Sequence, residues 1–129
     1  MIIDASAIVA IMRREPEASA LTTRMVAATS RSTHAVTVYE AALAIARLAG
    51  SPVEPARAVV EDFLADMNIS VVGLGAADAW AAVEAFSRYG KGRHAAKLNM
   101  GDCFSYACAK LRGVPLLYKG DDFELTDLA

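Results

Sequence analysis

At 129 residues and 13.6 kDa, the chain has the length of one domain and is too short for two ordinary ones. Apolar residues reach 55%, but 27 of them are alanines, so much of that figure is small helix-forming surface. Thirteen Lys plus Arg against fifteen Asp plus Glu leave a net charge of −2, which argues against a uniformly basic nucleic-acid binder and leaves room for a local basic patch.

The longest uncharged run, Met67 to Ala77, has eleven residues and contains Asn68, Ser70 and two glycines. A membrane span needs about 20 mostly apolar residues, so none is expected. The first residues carry no cationic stretch and place Asp4 inside the first apolar run, unlike a secretory signal, and a cytoplasmic protein is expected. Cys103 and Cys108 stand five apart in a helical pattern, about 140° around the cylinder. That matches neither a zinc nor a redox spacing, and reads as two small reduced core residues.

In chain order, Met1-Ile2-Ile3-Asp4 reads as a short buried strand ending on an acid. Ala7, Ile8, Ile11 and Met12 share one stripe of a helix over 5–12, and a second helix runs from Glu17 to about Ala28. Thr33 to Val38 is β-branched and strand-like, followed by a helix from Val38 or Tyr39 to Ala49 that Gly50 closes. Pro55 suits the first turn of a helix reaching about Met67. Ile69 to Val72 reads as a strand, Ala76 to Tyr89 as a helix, and 90–101 as a glycine-containing loop. Asp102 caps a helix to about Arg112, and Val114 to Tyr118 is the last strand. Alternating strands and helices imply one α/β domain over 1–129, a three-layer α/β/α sandwich around a mostly parallel central sheet.

On this map four acidic stretches reach one edge. Asp4 ends the first strand, Glu40 lies in the first turn after the second, and Asp121 and Asp122 follow the last. Asp102 starts a helix antiparallel to the strands, which puts its N-terminus at their carboxyl edge, where open α/β sheets place ligands. Each acid also has a plainer role. Thr37 and Glu40 fit a capping box, Asp102 fits an N-cap, and Asp121-Asp122 after Gly120 fits a turn. Asp4 is harder to dismiss, because a charge ending a buried strand needs a partner and no cation is close in sequence. Converging carboxylates repel one another unless a cation compensates. Oxygen ligands without His or Cys point to Mg²⁺ or Mn²⁺, hence to a metal-dependent phosphodiester hydrolase.

These same residues carry a family resemblance over essentially the whole chain. Met1-Ile2-Ile3-Asp4-Ala5-Ser6-Ala7, Thr37-Val38-Tyr39-Glu40-Ala41, Asn99-Met100-Gly101-Asp102-Cys103-Phe104-Ser105-Tyr106-Ala107 and Tyr118-Lys119-Gly120-Asp121-Asp122-Phe123 resemble the four motifs of PIN-domain ribonucleases. Within that family the chain is most similar to the VapC toxins of bacterial type II toxin–antitoxin modules. The resemblance implies Mg²⁺-dependent endonucleolytic cleavage of RNA, a homodimer, and inhibition by a VapB-type antitoxin. It also implies an acidic site of Asp4, Glu40, Asp102 and Asp121, with Asp4 and Asp102 as Mg²⁺ ligands, Ser6 supporting by hydrogen bonding, and Asp122 in an open role.

Arg88, Lys91, Arg93, His94 and Lys97 fall within ten residues that contain no acid. Such a run is often only a solvated face, but this one leads straight into Asp102. Lys91, Arg93 and Lys97 are the candidates to hold RNA phosphates, which an acidic site would otherwise repel. Tyr89 reads as core, His94 as surface and His34 as structural, while Trp80, Val83 and Phe86 share a stripe suited to core or a dimer interface. Two rivals remain. An Asp-nucleophile phosphatase would want a second Asp where Ser6 stands. A non-catalytic interaction or phospho-receiver module would use the acidic pocket for binding alone.

Overall fold

The computed structural model describes residues 1–128. Strands β1 (Ile2–Ile3), β2 (Ser32–His34), β3 (Ser70–Val72) and β4 (Leu116–Leu117) form one sheet in the order β3-β2-β1-β4, with every pairing parallel. Parallel strands need crossovers, and six helices supply them: α1 (Ala5–Met12), α2 (Ala18–Ala27), α3 (Ala35–Ala49), α4 (Val53–Asp66), α5 (Ala76–Tyr89) and α6 (Met100–Arg112). A 3₁₀ turn covers Asp122–Leu125.

The two residues of β1 show how the layers arise. Successive strand side chains point to opposite faces, so Ile2 and Ile3, both fully buried, enter different cores. Ile3 packs with Ala7 and Ile8 of α1, Met25 of α2, Ile45 of α3 and Val60 of α4. Ile2 packs with Ala85 of α5, Tyr106 and Cys108 of α6, Leu98 and Phe123. This is the expected three-layer α/β/α arrangement around a parallel sheet. No helix among the described residues is long and apolar enough to cross a membrane.

Two boundaries differ from the sequence reading, and both move an acid. β2 ends at His34 and α3 begins at Ala35, several residues earlier than the β-branched run suggests. The cause is His34, whose Nδ1 accepts the Thr37 N–H at 3.3 Å and caps the helix, while Thr37 is itself buried. Glu40 is therefore the sixth residue of α3, in its second turn, and no Thr37–Glu40 capping box forms. At α6 the cap is Asn99 rather than Asp102. Asn99 Oδ1 accepts the Asp102 N–H and Asp102 Oδ2 accepts the Asn99 N–H, both at 2.9 Å.

The remaining readings fall where expected or are narrowed. Cys103 and Cys108 are buried free thiols, and Tyr89 is buried beside Tyr106. His94 is an exposed loop residue, whereas His34 is fully buried. The core alternative for Trp80 is excluded, because its side chain is 73% exposed on the outer face of α5. Segment 90–99 is not a free loop. A parallel bridge joins Gly90 to Leu98, and the fully buried Leu98 anchors it.

Candidate active site

Asp4 leaves β1 with its N–H bonded to the Leu117 carbonyl of β4 at 2.9 Å, and it caps α1. Its carboxylate is only 3% exposed. Oδ2 accepts the Ser6 N–H at 2.9 Å and the Ser6 hydroxyl at 2.6 Å, while Oδ1 accepts the Ser105 hydroxyl at 2.5 Å. The Ser6 hydroxyl in turn accepts the Lys119 N–H at 3.0 Å, tying the exit of β4 to the start of α1. Ser6 thus bonds Asp4 through both its N–H and its hydroxyl. Ser105 bonds it through its hydroxyl, and sequence reasoning missed it. The available signal was its place three residues after Asp102 on one helix face.

Glu40 reaches the same place from α3. A Cβ built on the buried Gly101 would overlap the Glu40 carboxylate, so only glycine lets the first turn of α6 close on this side chain. Burial first, and then the charges of Asp4 and Asp102, push Glu40 up from 4.5 to about 7. Burial also raises Asp102 to about 6, against the opposing Asn99 N–H bond and with help from Asp4 and Asp122. The N-termini of α1 and α6 both face this edge and favour negative charge there, but they do not cancel the repulsion.

The two acids after β4 separate. Asp122 adds its field to Asp102. Asp121 instead lines a hollow with Glu17, Arg24, Tyr118 and Lys119 on the α2 side, and its charge is felt at Tyr118. Repulsion thus acts from Asp4 and Asp102 on Glu40, and from Asp4 and Asp122 on Asp102. No ion pair among the described residues involves any of these four. The nearby Lys119 ammonium is taken by Glu15 at 2.5 Å and Glu17 at 3.5 Å.

No three His, Cys, Asp or Glu side chains among the described residues form a ready-made metal cage. Mg²⁺ does not demand one, since it keeps several waters and takes one or two carboxylates. The donor set fits that habit. Asp4 Oδ2 has both acceptor positions filled, whereas Oδ1 accepts one hydrogen bond and keeps a lone pair. Asp102 commits Oδ2 to Asn99 and keeps Oδ1 free of protein donors among the described residues.

Lys91, Arg93 and Lys97 are exposed on the segment that connects α5 to the Asn99 cap of α6. Its backbone is held by Lys91 N–H to the Leu98 carbonyl and Leu98 N–H to the Tyr89 carbonyl, both at 3.0 Å. The cationic side chains are thus carried on a fixed frame that leads into the cap of α6.

Comparison with known proteins gives the family. The PIN domain family model matches residues 1–128. A Ribonuclease VapC of Mycolicibacterium smegmatis is 43% identical over 129 residues, covering 100% of this chain and 98% of that protein. Ribonuclease VapC30 of Mycobacterium tuberculosis is 42% identical, covering 100% of this chain and 96% of its own length. A VapC ribonuclease of Rhizobium meliloti is 37% identical over 138 residues, covering 98% and 97%. With the parallel sheet, these matches place the chain in the PIN domain family, among its VapC ribonucleases.

Proposed function

We propose that the chain works as a single PIN domain, an endoribonuclease that cleaves RNA with a divalent cation and serves as the toxin of a type II toxin–antitoxin module. The observation that carries this reading is the buried Asp4 with the half-buried Glu40 and Asp102, none of which forms an ion pair among the described residues. Asp4 and Asp102 are the residues to hold Mg²⁺, with Mn²⁺ as a substitute. When bound, the ion supplies charge neutralisation at the scissile phosphate and a more acidic water. Glu40, set against Gly101, accepts the proton of the attacking water. Asp122 rather than Asp121 completes the acidic set, because its charge acts on Asp102. The work is done in the cytoplasm, where Cys103 and Cys108 stay reduced.

Partners follow from what surrounds the edge. Tyr39, Leu43, Ala44 and Arg47 of α3 line a hollow with Glu40, and a second hollow between α1 and α3 is lined by Ser6, Val9 and Ala44. A VapB-type antitoxin suits this surface, with apolar anchors in the hollows and an Arg reaching the carboxylates as a bidentate partner. The outer face of α5 presents Trp80 at 73% exposure and Val83 at 60% beside Phe86 and Met100, an apolar area suited to a homodimer.

Three outcomes test this reading. Asp4→Asn and Asp102→Asn should each lower single-turnover RNA cleavage at saturating Mg²⁺ by at least about 100-fold while keeping a cooperative circular dichroism melt, since Asn still accepts the Ser6 N–H at α1 or the Asn99 N–H at α6. Parental rates in either variant would remove that residue from the site. Lys91→Glu combined with Arg93→Glu should weaken RNA binding and reduce its dependence on salt, because fewer counterions are released. An unchanged salt slope would make the basic run a solvated face. Trp80→Glu should shift the sedimentation coefficient from that of two chains to that of one, and a persistent two-chain species would place the interface elsewhere.

A further inference from the structure

Asp4 is the centre of a buried hydrogen-bond chain that the proposed chemistry does not use. His34, Thr37 and Ser105 are all fully buried, and Asp4 is 3% exposed. Ser105 Oγ lies 2.5 Å from Asp4 Oδ1 and 3.0 Å from His34 Nε2. Thr37 N–H points to His34 Nδ1 at 3.3 Å, and Thr37 Oγ1 lies 3.1 Å from His34 Nε2.

Counting protons gives this chain one direction. A carboxylate only accepts, so Ser105 must spend its single hydroxyl proton on Asp4. Its oxygen then faces His34 as an acceptor, which requires the proton on Nε2. Nδ1 is left unprotonated, matching the backbone N–H that it receives from Thr37. Burial lowers the basicity of His34, which favours this neutral ring with one N–H. A helical serine ordinarily turns its hydroxyl to the carbonyl of the preceding turn. Here the imidazole occupies the oxygen from the other side and holds the proton on Asp4.

We propose that Ser105 and His34 are positioning residues for Asp4, fixing its Oδ1 so that the remaining lone pair faces a divalent cation. His34 thus has two separable duties: Nδ1 caps α3, and Nε2–H directs Ser105. The inference rests on the reading of Asp4 as a cation ligand. It adds two residues from β2 and α6 that touch neither cation nor RNA.

Two substitutions at His34 separate the duties. His34→Asn keeps a good N-cap for Thr37, but its side chain is a bond too short to reach Ser105. His34→Gln keeps an amide N–H at about the reach of Nε2 and loses the cap. Ser105→Ala removes the hydroxyl and leaves His34 Nε2–H its Thr37 partner, so no new buried donor is stranded. The measurement is Mn²⁺ affinity of the purified chain by electron paramagnetic resonance, alongside thermal melts without metal.

Ser105→Ala and His34→Asn should each weaken Mn²⁺ binding about tenfold, the usual scale for a group supporting a ligand. The double variant should be no weaker than either single one, because both break the same chain. His34→Gln should bind Mn²⁺ more tightly than His34→Asn although it melts no higher, an ordering that a purely structural role reverses. Unchanged Mn²⁺ affinity in the folded variants, or additive losses, would overturn the relay alone. Should His34→Asn fail to fold, unchanged affinity in Ser105→Ala still decides against it. A parent chain that binds no Mn²⁺, or binds it equally well as Asp4→Asn, would overturn the cation site and the relay with it.

Discussion

Carboxylates gathered where no side-chain cation among the described residues pairs with them are the constraint on which this molecule turns. Asp4, Glu40 and Asp102 come from three separate elements, and the raised Glu40 and Asp102 carry the mark of burial and mutual repulsion. Cations are not scarce elsewhere. Arg112 bonds Asp78 at 2.8 Å, Lys110 bonds Asp127 at 3.0 Å, and Lys119 is spent on Glu15 and Glu17. The fold pairs Asp78 and Asp127 internally and, by our proposal, leaves the edge acids to an external partner. For a ribonuclease of the VapC type, that partner is a cation in one state and, by our proposal, an antitoxin side chain in another.

The architecture explains how the repulsion is tolerated. Two helix N-termini meet at the edge, and the backbone N–H groups of Ser6 and Asn99 bond Asp4 and Asp102. Gly101 removes the side chain that would keep Glu40 away. Ser105 and Ser6 orient Asp4, so the buried carboxylate has donors on both oxygens without losing all its capacity as a ligand. Hydrogen bonds thus fix the geometry, and the uncancelled charge supplies the attraction for a cation.

Much of this was legible in the sequence, and the misses have physical causes. Apolar periodicity and the β–α alternation are strong local signals, and they located every strand and helix to within a few residues. The shift at His34 came from tertiary context: Val36, Thr37 and Val38 favour strands, but a buried imidazole cap and packing of α3 on α1 and α4 hold them in a helix. Capping chemistry also misled at Asp102, where Asn99 and Asp102 share the cap and only three residues separate them. Asp121 and Asp122 could not be told apart by sequence, because adjacent residues of one turn meet different neighbours: the charge of Asp122 acts on Asp102, and Asp121 lines the hollow beside α2. Ser105 and Gly101 were quoted within a motif, yet their contacts with Asp4 and Glu40 span residues far apart in the chain.

The central claim, that burial and repulsion hold Glu40 at the edge at a cost no side-chain cation among the described residues offsets, is tested most directly by the melting temperature of Glu40→Gln against the parent between pH 5 and 8 without divalent metal. In the folded chain Glu40 titrates at about 7 instead of 4.5, so the folded state holds the extra proton between those values. Stability therefore falls as pH rises through that window, and the cost is fully present above it. Comparing the two proteins cancels the opposite contribution of the buried His34, which loses stability as pH falls below its ordinary range. The account expects Glu40→Gln to melt about 5 °C above the parent at pH 8 and close to it at pH 5. A variant that melts below the parent at pH 8, or a difference that does not change with pH, would contradict it.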